Sequence, residues 1–124
     1  MLDVPLLIGR DRDGHAFALR NVCRHQGMPL SCGRFDGRYI ECANHGWRYD
    51  TSGALVTIPS LAADGSVDLR RLTLRQYPCR ESQGLLWVYL GETTDDLPPV
   101  PEIPGVGARS PEIVDTLVFR CDMD

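Results

Sequence analysis

Hydrophobic residues in this chain form short runs, several of which alternate with polar residues, and turn-forming glycine, proline and aspartate residues separate the runs. No stretch of the sequence keeps the apolar period of an amphipathic helix. The pattern therefore predicts an all-β fold, built as a sandwich or a small barrel. Predicted strands cover residues 4–10, 15–20, 38–42, 54–58, 72–77, 85–90 and 113–120.

Some of these segments carry more specific expectations. Segment 15–20 follows Asp13-Gly14, a strong hairpin signal, so the first two strands are expected to pair. Segment 72–77 alternates like a half-buried strand, and segment 85–90 is apolar enough for a central strand. Residues 60–71 show no sustained period and are predicted to be a loop.

Proline usage divides the chain near its end. Its 124 residues suffice for a single modest core, and residues 1–94 are predicted to form that one domain. Residues 97–105 hold four of the nine prolines, which predicts a stiff proline-rich linker over residues 95–112. Residues 113–124 are then predicted to contain a terminal strand.

Composition and charge argue against several classes of partner. A net charge of −4 without a lysine-rich or arginine-rich block predicts neither a nucleic acid partner nor an acidic membrane. No apolar run approaches the length that spans a bilayer, which favours a soluble protein. The five cysteines lack the spacing of a disulfide framework and favour a reducing compartment, the cytoplasm.

Two short clusters of metal-ligating residues dominate the candidate chemistry. Cys23 and His25 form a C-x-H pair, Cys42 and His45 form a C-x-x-H pair, and sixteen residues separate the pairs. Thiolate and imidazole suit both zinc and iron–sulfur iron. A structural zinc finger usually places two cysteines on one arm and two histidines on the other. Each arm here carries one of each, so a zinc-stabilised interaction module is the lesser alternative.

Turn residues flank both clusters and place each at the tip of a tight loop. With these residues, the segment from Asn21 to Asp50 resembles the Rieske iron–sulfur proteins, above all the Rieske domains of ring-hydroxylating oxygenase α-subunits. The resemblance implies a β-sheet base and a cluster-binding subdomain made of two loops, about residues 21–50. It implies a Rieske-type [2Fe–2S] cluster, with one iron bound by Cys23 and Cys42 and the other by His25 and His45.

Two residues set this chain apart from the respiratory and photosynthetic Rieske proteins. Those proteins carry an additional disulfide cysteine in each loop, and this chain has Met28 and Asn44 at those places. The resemblance also implies that Tyr49 donates a hydrogen bond to a ligand sulfur.

The function implied by the resemblance is one-electron transfer. A reductase or ferredoxin would donate the electron, and a mononuclear non-heme iron in an oxygenase catalytic domain would accept it. The chain as given has one further histidine, His15, which cannot build a facial triad by itself, so that iron site is expected elsewhere. Residues 113–124 would then begin a truncated catalytic domain, and the complete protein would form a trimer. The alternative is a free-standing Rieske ferredoxin.

Overall fold

Antiparallel strands build the part of the chain that a computed structural model describes, residues 4–61, 67–92 and 96–105. The strands are β1 Leu6–Arg10, β2 Ala16–Arg20, β3 Arg34–Phe35, β4 Tyr39–Glu41, β5 Arg48–Asp50, β6 Leu55–Thr57, β7 Gln76–Tyr77, β8 Cys79–Ser82 and β9 Leu85–Val88. Short 3-10 helices cover Leu30–Cys32 and Leu69–Leu72. The described residues contain no α-helix, and the predicted all-β class is confirmed.

The strands form three antiparallel sheets. The first has the order β1-β2-β7, the second has the order β3-β4-β5-β6, and β8 pairs with β9 alone. The predicted hairpin over Asp13-Gly14 is present, with Arg10 opposite Ala16 and Leu6 opposite Arg20. The second sheet places Ile40 opposite Tyr49, next to the two predicted ligand loops.

The core lies between the first two sheets. Its largest fully buried side chains are Leu19 of β2, Leu30 and Tyr49 of β5. Phe17 of β2 meets Phe35 of β3 edge to face, with 5.5 Å between the ring centroids, which joins the two sheets. Burial of these large apolar groups is the main source of stability in a domain of this size. The same core includes Cys23 and Cys42, so each predicted ligand loop begins at a residue of the hydrophobic core.

The predicted strand over residues 72–77 is wrong for most of its length. Asp68 accepts a hydrogen bond from the backbone N–H of Arg70 and starts a 3-10 helix that runs to Leu72. The backbone N–H of Leu74 then donates to the carbonyl of Gly53 in a loop, at 2.8 Å. These backbone groups are satisfied outside a sheet ladder, so strand pairing is left to Gln76–Tyr77.

The strand predicted at residues 85–90 is present, but it is not the central strand of a sheet. β9 covers Leu85–Val88 and pairs with β8, within a sheet of two strands. β8 covers Cys79–Ser82, and the turn between the two strands is confined to Gln83 and Gly84. A run of apolar residues indicates burial without saying what covers it, which is why the position in the sheet was wrong.

Two of the predicted segments reach beyond the described residues. The terminal strand at residues 113–124 lies outside them, and so do residues 93–95 beside the predicted domain boundary. Residues 96–105 of the predicted linker are described and contain no strand. The described part of the chain also has no helix long and apolar enough to cross a membrane.

Asp36 gives the fold a defined dependence on pH. Its carboxylate accepts hydrogen bonds from the backbone N–H groups of Tyr39, at 2.7 Å, and Arg38, at 2.9 Å, and from the guanidinium of Arg48 at 3.0 Å. These hydrogen bonds hold the pKa of Asp36 below its ordinary value of 3.8, and the bond from Tyr39 makes the largest contribution. A carboxyl whose pKa is lower in the folded state stabilises that state above its unfolded pKa.

We therefore expect the stabilisation from Asp36 to be lost as pH falls through its folded pKa. In Asp36→Asn, the free energy of unfolding should decline less between about pH 5 and pH 2 than in the wild type. Urea unfolding at a series of pH values measures this slope. Asp13→Asn, which removes a carboxylate from an exposed turn, is the matched control. An unchanged slope in Asp36→Asn would contradict the prediction.

Candidate metal centre

The first ligand loop is closed by two backbone hydrogen bonds. The N–H of Gly27 donates to the carbonyl of Cys23 at 3.0 Å, and the N–H of Cys23 donates to the carbonyl of Met28 at 2.8 Å. Gly27 has a φ of 77°, a conformation that side chains disfavour. The loop therefore needs glycine at this position, and His25 lies at its tip.

The second ligand loop has the same backbone pattern. The N–H of Gly46 donates to the carbonyl of Cys42 at 3.0 Å, and the N–H of Cys42 donates to the carbonyl of Trp47 at 2.9 Å. Gly46 has a φ of 69°. In both loops the glycine follows the cysteine by four positions, whereas the histidine follows by two in the first loop and by three in the second. One turn geometry thus accommodates both C-x-H and C-x-x-H.

Burial separates the four predicted ligands into two layers. Cys23 and Cys42 are 2% and 4% exposed and belong to the hydrophobic core. His25 and His45 are exposed at the loop tips. A group held by all four would therefore have a sulfur-ligated side within the protein and an imidazole-ligated side at the surface.

The two histidine rings lie side by side across the loops. Their centroids are 4.6 Å apart, with the ring planes at 70°. The indole of Trp47, from the second loop, stacks on His25 of the first loop at 4.7 Å with an interplanar angle of 7°. Trp47 thus restrains His25 through a ring contact between the two loops.

The two cysteine side chains also meet. Burial raises the pKa of the Cys42 thiol, the backbone N–H of Asn44 opposes this shift, and a hydrogen bond with Cys23 adds to it. Two adjacent buried thiolates would repel each other without a cation between them. The protein has therefore assembled a pair of soft ligands that a metal centre, rather than nearby side chains, would neutralise.

Tyr49 lies beneath the cysteine pair. Its hydroxyl oxygen is 3.5 Å from the sulfur of Cys23 and accepts the backbone N–H of Arg24 at 3.1 Å. Burial is the main cause that raises the pKa of Tyr49, so the phenol stays protonated. Either atom of this pair could be the donor; a metal-bound Cys23 thiolate has no proton to give, so in that state the Tyr49 O–H would be the donor, which is the bond that the sequence resemblance implies.

Polar side chains brace the loops at positions that sequence reasoning missed. Asn44 donates to the side-chain oxygen of Gln26 at 3.1 Å and so joins the two loops near their tips. Asn21 pairs with Ser31 through two hydrogen bonds of 2.8 Å at the base of the first loop. No local sequence signal identifies such partners, because the pairing residues are ten or more positions apart.

The spread of the predicted ligands bears on the kind of metal centre. A lone zinc ion lies about 2.0–2.3 Å from each ligand atom, so any two of its ligands lie within about 4.6 Å of each other. Among the described residues, only Asp11, Asp13 and His15 bring three ligand atoms within 4.8 Å of one another. No three of the four predicted ligand atoms meet this distance in the part of the chain that the structure describes.

The group at Asp11 is explained by its turn. One carboxylate oxygen of Asp11 accepts the backbone N–H groups of Asp13, at 2.9 Å, and His15, at 2.8 Å. The carboxylate thus shapes the exposed β1-β2 turn. The His15 ring contacts the other oxygen of the same carboxylate at 3.3 Å.

Comparison with known proteins agrees with this site. The family model described as the Rieske [2Fe-2S] domain matches residues 1–78, which include all four predicted ligands. The chain belongs to the Rieske domain family. A Rieske domain binds a [2Fe–2S] cluster, whose irons take both sulfur and nitrogen ligands.

Relatives of this Rieske domain are larger oxygenases. The chain is 33% identical over 102 residues to chlorophyllide a oxygenase of Arabidopsis thaliana, covering 82% of this chain and 17% of that protein. It is 36% identical over 93 residues to the iron-sulfur subunit of the toluene-4-sulfonate monooxygenase system of Comamonas testosteroni, covering 74% and 25%. The chain thus spans about a quarter or less of these relatives.

Solved structures show the same relationship. Dicamba monooxygenase bound to dicamba superposes with a TM-score of 0.71 at 31% identity, covering 82% of this chain and 30% of that one. NdmA of Pseudomonas putida CBB5 with caffeine superposes with a TM-score of 0.64 at 30% identity, covering 73% and 26%. The similarity is therefore to one domain of each oxygenase.

Removal of the Tyr49 hydroxyl is expected to lower the reduction potential of the Rieske cluster. A hydrogen bond to sulfur stabilises the reduced, more negative state, and a net worth of about 1 kcal/mol corresponds to roughly 40 mV for one electron. Tyr49→Phe should lower the midpoint by an amount of this order in a redox titration. Tyr39→Phe removes a hydroxyl from β4 and is the control. An unaltered midpoint in Tyr49→Phe would count against the bond to Cys23.

Proposed function

We propose that this chain is the electron-transfer domain of a Rieske-type oxygenase, with Cys23 and Cys42 on one iron of the cluster and His25 and His45 on the other. The observation that carries the proposal is the layering of the site. Two buried cysteines lie in the core, and two exposed histidine rings lie 4.6 Å apart at the surface. A centre held in this way is anchored in the protein and open to a partner at its imidazole edge.

The bound cluster supplies a site that accepts and releases one electron. The chain's own residues set how readily it does so. Two neutral imidazoles in place of thiolates leave the oxidised site less negative, so its potential lies within the Rieske range of roughly −150 to +300 mV. The higher-potential relatives have a serine where this chain has Trp47, so we place the potential toward the low end of that range.

The exposed histidines are the side from which an electron would leave. The core covers the cysteine side, whereas His25, His45 and the neighbouring loop-tip residues Arg24 and Asn44 face the surface. The Trp47 indole covers one face of the His25 ring and leaves its edge open. A partner that docks on the loop tips would therefore approach the histidine-ligated iron first.

The partners follow from the oxygenase relatives. We infer that a reductase or ferredoxin donates the electron, and that a mononuclear non-heme iron in an oxygenase catalytic domain accepts it. The complete protein would work in the cytoplasm as a trimer. Relatives named as oxygenases, each several times longer than the matched region, support the inference of a catalytic domain; the trimer and the cytoplasm rest on the sequence analysis alone.

An electron paramagnetic resonance (EPR) spectrum of the dithionite-reduced chain tests the proposal. We expect equal amounts of iron and acid-labile sulfide, about two of each per chain, and the spectrum of mixed sulfur and nitrogen ligation. An all-thiolate spectrum would contradict histidine ligation. Zinc without sulfide would instead favour the interaction module.

A further inference from the structure

The proline-rich segment after β9 lies against the last hairpin. Pro98, Pro99 and Pro101 line an apolar cavity of about 110 Å³ together with Trp87 of β9 and Tyr89. Proline loses little conformational entropy when it becomes ordered, so such a segment packs on aromatic rings at low cost. The segment is thus seated on the Rieske domain over the part that the structure describes.

The side chain of Gln83 forms hydrogen bonds with the backbone of this segment. The amide of Gln83, at the tip of the β8-β9 hairpin, donates to the carbonyl of Ile103 at 3.1 Å and accepts the N–H of Ile103 at 2.8 Å. The Ile103 side chain is 36% exposed. The pair of hydrogen bonds from Gln83 fixes the backbone of the segment at this residue.

The choice of glutamine at the hairpin tip supports a role outside the turn. Gln83 has a φ of 54° and Gly84 a φ of 75°, and Gln83 is the one non-glycine residue at positive φ among those described. Two-residue hairpin turns of this kind strongly favour asparagine before glycine. Asparagine would suit the backbone better but is one methylene shorter. Glutamine is disfavoured by the turn and favoured by the reach to Ile103.

The stretch of chain between β9 and the proline-rich segment is also attached to the domain by hydrogen bonds. The guanidinium of Arg75 donates to the carbonyl of Gly91, just after β9, at 2.8 Å. The N–H of Tyr89 donates to the carbonyl of Pro78 at 2.9 Å. Together with the Gln83 bonds, these contacts attach the departing chain to the domain at more than one point.

We propose that Gln83 is a positioning residue that clamps residues 97–105 onto the β8-β9 hairpin, so that the chain leaves the Rieske domain along a fixed direction. The segment is then a docked arm rather than a free linker. Its consequence rests on the proposed function: a catalytic domain that follows the arm would leave the Rieske domain in a restricted direction.

Replacement of Gln83 by asparagine separates the clamp from the turn. Gln83→Asn keeps a residue that suits positive φ and removes the reach to Ile103. We expect amide hydrogen exchange at Ile103 to rise about tenfold or more, since two hydrogen bonds are lost. Mass spectrometry on the peptide that contains residues 97–105 measures this, because its four prolines carry no N–H and Ile103 supplies one of its few amides.

The controls decide between the clamp and a general loosening of the domain. Gln76→Asn makes the same change at an exposed position of β7 and should leave exchange in the arm unaltered. Wild-type exchange in Gln83→Asn would overturn the proposal, and so would an equal rise in Gln76→Asn. Exchange at Ile103 is read whether or not the cluster is bound, so failure of the clamp and failure of the proposed electron transfer are separate results.

Discussion

Cys42→Ser is expected to abolish cluster binding. The serine hydroxyl is a hard, weakly acidic ligand in place of a soft thiolate, and Cys42 is a buried partner of Cys23 in the core. Removal of one of only two sulfur ligands leaves one iron without a complete set of ligands. We expect iron and sulfide to fall from about two of each per chain to less than about a tenth of that.

Metal and sulfide analysis of the purified variant measures this loss, and the visible spectrum of the cluster should vanish with it. Cys32→Ser is the matched control, because Cys32 is an exposed free cysteine at the end of the first loop segment. It should retain its full content of iron. A Cys42→Ser protein that keeps the wild-type cluster and spectrum would remove Cys42 from the ligand set.

Gly33→Ala is expected to cause a large loss of stability although it adds only one methyl group outside the predicted ligand set. An ideal Cβ at Gly33 would lie 2.0 Å from the backbone oxygen of Glu41 and 3.2 Å from that of Leu30. Backbone atoms cannot swing aside as a flexible side chain can, so β3 and β4 would have to separate. We expect a loss of about 3 kcal/mol in the free energy of unfolding, near the top of the range for overpacking.

The same clash should also reach the metal centre. Arg34 pairs with Glu41 in the β3-β4 ladder, and Cys42 follows Glu41 directly. Denaturant unfolding measures the stability, and the iron content of the folded protein reports the shift of Cys42. Gly14→Ala is the control, because Gly14 has a φ of 86° and none of the described residues lies within 4 Å of its ideal Cβ. It should cost only about 1 kcal/mol. Equal losses in the two variants would show that the contact with Glu41 is not the cause.

Local patterns predicted the elements that depend on neighbouring residues. Asp13-Gly14 predicted its hairpin, because a tight turn needs its own residues and little else. The glycines after each ligand pair indicated tight loops, and both adopt positive φ. The all-β class followed from the short runs, which no later contact could convert into helices.

Contacts between distant residues decided what the local pattern could not. Residues 72–77 alternate like a strand, yet the backbone N–H of Leu74 donates a hydrogen bond to the carbonyl of Gly53 in a loop. The stacking of Trp47 on His25 requires the two loops to meet, and no pattern of neighbouring residues predicts that contact. The clamp between Gln83 and Ile103 joins residues twenty positions apart and left no pattern to detect.

The sequence by itself determined the class of fold and the ligand types of the two loops, and its resemblance to Rieske proteins implied the kind of metal centre for Cys23, His25, Cys42 and His45. It could do so because ligand type and turn type are properties of a few consecutive residues. The tertiary structure alone decided that the cysteines are buried and the histidines exposed, which strands pair, and where the proline-rich arm lies. These outcomes depend on which surfaces pack together. A residue is buried by side chains that are distant in the sequence, so the order of residues alone does not identify them.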